Sequence, residues 1–121
     1  MRHPDHNDRD RLNNLLRFIG NLNDSISFYE KTDGRERASH EAAVVRNLEM
    51  ISEIAKNLLP ETKELAEHVP WKQIVGFRNI AAHDYASIDY DVAIATAYDD
   101  IPALKKAVES VLLDVIPDDN H

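Results

Sequence analysis

The chain has 121 residues and is 43% apolar, enough for one continuous core and a single domain but not for two. Only three glycines and five prolines stand among abundant Leu, Ala, Ile, Glu and Asp, so the turn-rich composition of a sandwich or barrel is missing and an all-α class is expected. Fourteen Lys and Arg face 22 acidic residues for a net charge of −8, which argues against tight, sequence-blind nucleic-acid binding over a broad basic face.

No cysteine is present, which removes disulfides, thiolate metal sites and cysteine nucleophiles together and fits a reducing compartment. Apolar runs are short and the opening MRHPDHNDRDR is polar, so neither a membrane span nor a secretory signal is expected. The expectation is a soluble, cytoplasmic protein of one domain over 1–121, with frayed tails at 1–7 and 117–121.

From Asp8 to about Lys31, apolar residues recur every three or four positions (Leu12, Leu15, Leu16, Ile19, Leu22, Ile26, Tyr29), predicting a long amphipathic helix. Gly20 is a soft spot or a place of close packing within it. Thr32, Asp33 and Gly34 read as a stop, and Ser39 as the N-cap of a second helix through about Leu58 with Val44, Val45, Leu48, Ile51, Ile54, Ala55 and Leu58 turned inward. Pro60 suits the first turn of a short third helix ending near His68, and Pro70 marks the next boundary. A fourth helix is predicted from about Trp71 to Ala82, with a possible break at Gly76. Asp89 can cap a last segment, Tyr90 to about Val115, which Pro102 should kink or divide. An antiparallel bundle of four to five helices buries these stripes.

Within that frame the stretch RNIAAHDY places a guanidinium, an imidazole and a phenol at Arg78, His83 and Tyr85. On a regular helix Arg78 and Tyr85 are nearly eclipsed, while His83 lies about 140° around from Arg78, so Arg78 and His83 share a face only if the helix ends near Ala82. A histidine in a last turn feels the negative end of the helix dipole, which favours its protonated form and suits acid-base work near neutrality. A structural reading is equally open at this point. His83 could cap a helix end, Arg78 could pair with a carboxylate, and Tyr85 could be a half-buried aromatic with a wet hydroxyl.

The surrounding WKQIVGFRNIAAHDYASID, with Arg78, His83 and Tyr85 spelling R-x4-H-x-Y, resembles the signature block of the HepT-like branch of the HEPN (higher eukaryotes and prokaryotes nucleotide-binding) superfamily. Upstream, VVRNLEMISEIA resembles that family's second-helix block, its Arg-Asn pair and Glu standing here as Arg46, Asn47 and Glu53. The likeness runs through essentially the whole chain in helix order.

The resemblance implies a metal-independent endoribonuclease, the toxin of a type VII toxin-antitoxin pair whose antitoxin is an MntA-like minimal nucleotidyltransferase. It further implies a homodimer, no cofactor, and transfer of AMP from ATP to the motif tyrosine, Tyr85. Under it, His83 is the acid-base group and Arg78 the clamp on the phosphate oxygens. Asn79 could bond His83, contact substrate or be a plain polar position. Arg46, Asn47 and Glu53 are expected to form a polar network bracing the signature helix, and Trp71 to anchor the core or an interface. His3 and His6 have a spacing that could suit a metal, while His40, His68 and His121 have no evident partners nearby in sequence; none is counted as a ligand. The alternative reading is a non-catalytic HEPN helical subunit that binds a partner nucleotidyltransferase, toward which the acidic charge leans.

Overall fold

The predicted apolar stripe of the first helix is the one that folding buries. In the computed structural model, which describes residues 6–83 and 90–114 and the side chains of 8–77 and 90–113, Leu12, Leu15, Ile19, Leu22 and Ile26 are all withdrawn from water. Each such side chain contributes about 1.5–3 kcal/mol over leaving it exposed. Among the described residues there are six helices and no strand: α1 (His6–Lys31), α2 (Gly34–Asn57), α3 (Pro60–Glu64), α4 (Trp71–His83), α5 (Tyr90–Asp99) and α6 (Ile101–Asp114). They form an all-α antiparallel bundle. Its core joins the α1 stripe to Val44, Val45, Leu48, Ile51 and Ala55 of α2, Ile74 and Phe77 of α4, Ala93 and Ala97 of α5, and Ile101, Leu104 and Val108 of α6. None of the described helices is long and apolar enough to cross a membrane.

Several boundaries differ from the sequence reading. The second helix begins at Gly34 with Asp33 as its N-cap, not at Ser39. Gly34 takes φ +60°, a conformation that costs a residue with a Cβ roughly 1–2 kcal/mol, so the chain reverses within Thr32 and Asp33 and helical bonding resumes at once. The Thr32 hydroxyl donates to the Phe28 carbonyl (2.8 Å) and closes the end of α1.

The third helix stops at Glu64 instead of running to His68, because the following amides of Leu65, Ala66 and Val69 bond back three residues to Thr62, Lys63 and Ala66 (3.2, 3.1 and 3.1 Å). The last segment is divided, not merely kinked. Asp100 interrupts it, and Pro102 takes the second position of α6, where a missing N–H leaves no helical bond unmade. That division and the short α3 account for six helices where four or five were expected.

Asp8, where the sequence reading starts the first helix, is 0% exposed in the first turn of α1, which itself begins at His6. Its Oδ2 accepts the Leu59 amide (3.0 Å) and the Thr62 hydroxyl, and its Oδ1 accepts Arg11 Nη1 (2.8 Å). Leu59 and Thr62 are the N-cap and third residue of α3, so a carboxylate from α1 caps a helix that offers no side-chain cap of its own. Asp8→Ala strips that acceptor from a buried amide and hydroxyl, and is expected to lower unfolding free energy by about 2–3 kcal/mol in urea titrations. Arg11→Ala, which removes only a partly exposed partner, should cost clearly less.

Candidate functional site

Helix α4 carries the first part of the signature block and is fixed on its inner side by packing. Ile74 and Phe77, three residues apart, enter the core, while Lys72 and Gln73 face solvent. The helix continues unbroken through Gly76 and Ala82 to His83, so the expected break at Gly76 is absent. A Cβ at Gly76 would meet nothing within 4 Å, which means neither packing nor backbone geometry demands glycine there.

Arg78 and His83 therefore lie on one continuous helix, their positions about 140° apart on a regular helix, with no helix end between them. The side chains of Arg78, Asn79 and His83 lie outside the described residues. So do Tyr85, Asp89 and the predicted helix exit at 84–87.

Side chains from α2 hold the bundle on both of its flanks. Ser52 is fully buried and its hydroxyl donates to the Val75 carbonyl at 2.9 Å, a direct tie between α2 and the signature helix. Sequence reading passed over Ser52, although it stands next to Ile51 and three before Ala55, on the inward stripe, where a small polar residue implies a buried acceptor.

Asn47 turns the other way: its amide donates to Ala43 O (3.0 Å) and to Ser25 Oγ of α1 (3.4 Å). Arg46 has a side chain 72% exposed and stands 4.0 Å from Glu49. Glu53 is half-buried, with Oε2 withdrawn from solvent, and it has a polar or electrostatic partner. Among the described residues Asn47 joins the α1 contact and Arg46 stands at the surface; any polar network from these three to the side chains of Arg78, Asn79 or His83 lies outside the described residues.

Along the outer side of α4 runs a groove of about 540 Å³ lined by Lys72, Gln73, Gly76, Phe77, Val92, Thr96 and Asp100. It offers a cation, an amide, a hydroxyl and a carboxyl along a partly apolar strip. Burial, with the neighbouring Asp99 charge second, pushes the Asp100 carboxyl above the usual aspartate value. Trp71 at the start of α4 is half-buried against the core and donates its indole N–H to Ala66 O at 2.9 Å, pinning the turn that precedes α4.

Of the other histidines, His40 lies against the Phe28 ring and His68 is exposed, while the side chains of His3, His6 and His121 lie outside the described residues. Among the described residues no three His, Asp or Glu converge as metal ligands would.

The sequence of these helices matches a known family: a model of the ribonuclease HepT-like family aligns with residues 15–111, from the core stripe of α1 to the last buried turn of α6. The chain belongs to the HepT-like ribonuclease family. Two candidate RNases of Methanocaldococcus jannaschii are similar to it, one 36% identical over 100 residues (80% of this chain, 92% of that protein), the other 32% identical over 104 residues (84% and 90%). A candidate ribonuclease HepT of Thermococcus cleftensis is 36% identical over 69 residues, 57% of this chain and 63% of that one. No solved structure matches the chain. HepT-like membership places Arg78, His83 and Tyr85 within the matched span, with Arg78 and His83 on α4 and Tyr85 in the segment that follows.

The Ser52 tie predicts how α4 is held. Ser52→Ala removes one buried hydrogen bond and should cost about 1 kcal/mol in stability. Faster amide hydrogen exchange should appear in 71–83 ahead of α1, as read by mass spectrometry after short labelling.

Proposed function

We propose that this HepT-like chain is an endoribonuclease toxin that cleaves RNA without a metal, and that a cognate minimal nucleotidyltransferase silences it by attaching AMP to Tyr85. The observation that carries the reading is a family match across the whole bundle that includes an intact R-x4-H-x-Y at Arg78, His83 and Tyr85.

RNA contains its own nucleophile, so the protein has only to move two protons and steady the charge that develops on phosphorus. A neutral His83 takes the proton of the 2′-hydroxyl as that oxygen attacks the adjacent phosphate. Arg78 holds the non-bridging oxygens with a planar, permanently charged fork, a geometry lysine does not offer. The bond to the 5′-oxygen breaks as that oxygen receives a proton from an imidazolium. One motif histidine per chain is awkward for in-line attack, which wants a base at the 2′-oxygen and an acid at the 5′-oxygen on the opposite side of phosphorus. A two-fold homodimer supplies the second His83 and a second Arg78, and two facing copies of α4 suit the 140° offset of these positions better than one does. The products are a 2′,3′-cyclic phosphate and a 5′-hydroxyl end.

Asn79, between the two, is placed to bond His83 or the substrate. Arg46 and Glu53, seven apart on one face of α2, act in support, with Asn47 steadying α2 from its far side. AMP on Tyr85 puts a bulky anion beside Arg78, where it competes with the RNA phosphate. The toxin is then switched off by occlusion.

Purified dimer incubated with RNA and EDTA should yield cyclic-phosphate ends. His83→Ala should lower the rate by about a hundredfold or more, the scale of a lost general acid-base group. Unchanged cleavage in that variant, or none in the unmodified wild type, leaves instead a helical subunit that docks a nucleotidyltransferase and cleaves nothing. For the switch, co-expression with the nucleotidyltransferase should add the mass of one or more AMP units to the peptide containing Tyr85 and abolish cleavage, while Tyr85→Phe should stay unmodified and escape silencing.

A further inference from the structure

The tip of the α1–α2 hairpin gathers four planar groups. Phe28, 53% exposed, lies against the His40 ring with centroids 5.4 Å apart and planes 22° from parallel. Beside that pair, the Arg37 guanidinium stands 4.2 Å from the centroid of the Tyr29 ring. Arg37 and His40 are three apart, about 60° around α2, and Phe28 and Tyr29 are consecutive on α1, so the two contacts adjoin. The tight reversal at Gly34 sets them opposite each other.

Core formation explains Ile26 and Leu22 just below but not a phenylalanine left half in water. The surroundings are also electrically distinct. Residues 28–40 hold Lys31, Arg35 and Arg37 against Glu30, Asp33 and Glu36, so this segment contributes nothing to the net charge of −8. With −8 on the whole chain no broad basic field draws in phosphates, so binding away from the scissile bond depends on stacking at places where cations offset carboxylates, as they do here.

We infer that this tip is a stacking platform for single-stranded RNA, an extension of the ribonuclease reading and dependent on it. Bases lie on the open faces of the Phe28 and Tyr29 rings, while the Arg37 guanidinium and the His40 ring N–H donate to phosphate or base edges. Phenyl, phenol, imidazole and guanidinium planes are the groups on which unpaired bases stack, with little regard to sequence. Aromatic rings and arginine also serve protein interfaces, so the binding arms of the test distinguish a protein contact from base stacking. The platform lies at the end of α2 opposite the Ser52–Val75 tie to α4, so it adds affinity for substrates longer than the dinucleotide at the scissile bond.

The test uses a 12-nucleotide RNA, a fully 2′-O-methylated copy that lacks the nucleophile, and a dinucleotide too short to reach the tip. Phe28→Ala and Arg37→Ala, checked for unchanged thermal melting, should each bind the methylated 12-mer about tenfold more weakly by fluorescence anisotropy, the scale of one lost base stack. KM for the cleavable 12-mer should rise in step, dinucleotide cleavage should not change, and Phe28→Trp should restore binding. Equal affinity of wild type and Phe28→Ala for the methylated 12-mer overturns the platform. So does a loss confined to binding of the nucleotidyltransferase, which makes the tip a protein contact. Wild type that binds the methylated 12-mer through Phe28 but cleaves no RNA upholds the platform and removes the nuclease; wild type that does neither removes both.

Discussion

A single buried carboxylate sets the corner from which the signature helix departs. Helix α3 has five residues, too few to hold its own shape in water, and its N-cap amide at Leu59 and the buried Thr62 hydroxyl need acceptors. Asp8 supplies them from half a chain away, and in doing so fastens the start of α1 to the turn after α2. The Trp71 indole continues the same corner by bonding Ala66, and α4 begins at that tryptophan. Without this chain of contacts the direction of α4, and with it the placement of Arg78 and His83, would have no fixed reference.

Two levels of constraint then act on α4. Ile74 and Phe77 set its rotation by burying one face, and the Ser52 hydroxyl sets its height against α2 through the Val75 carbonyl. A site for phosphate chemistry gains from such rigidity, because small displacements of a clamp or a base are costly in rate. The side of the helix left uncovered in one subunit borders the groove of Lys72, Gln73 and Asp100, so the surface near the motif is neither sealed nor wholly apolar. The proposed homodimer, with its composite cleft, would suit that openness. The net acidity fits it as well, since clamping one phosphodiester takes a few well-placed guanidiniums and no broad basic field.

The α1–α2 tip shows how a turn residue can shape a surface far from the core. Gly34 permits an abrupt reversal, and the abruptness brings Phe28 and Tyr29 level with His40 and Arg37. Across the bundle, the Tyr98 hydroxyl donates to the Glu30 carboxylate and ties α5 to the same end of α1. The far end of the hairpin is thus ordered by contacts that owe nothing to the hydrophobic stripe.

The sequence by itself determined the helices and the family. Apolar spacing is a local signal, and it marked Leu12 through Ile26 and Val44 through Ala55 as inward before any coordinates, while the whole block WKQIVGFRNIAAHDYASID, not the spacing of Arg78, His83 and Tyr85 alone, carried the resemblance to the HepT-like family. Local signals misled where two neighbours competed: Asp33 and Ser39 are equally good caps by residue type, and the left-handed Gly34 settled the start of α2. Only the tertiary structure decided that Asp8 is buried beneath α3, that Ser52 grips Val75, that Asn47 serves α1, and that His40 meets Phe28. Each of these joins residues from different helices. The energy of a polar group depends on what folding brings beside it, and no periodicity within one segment carries that information.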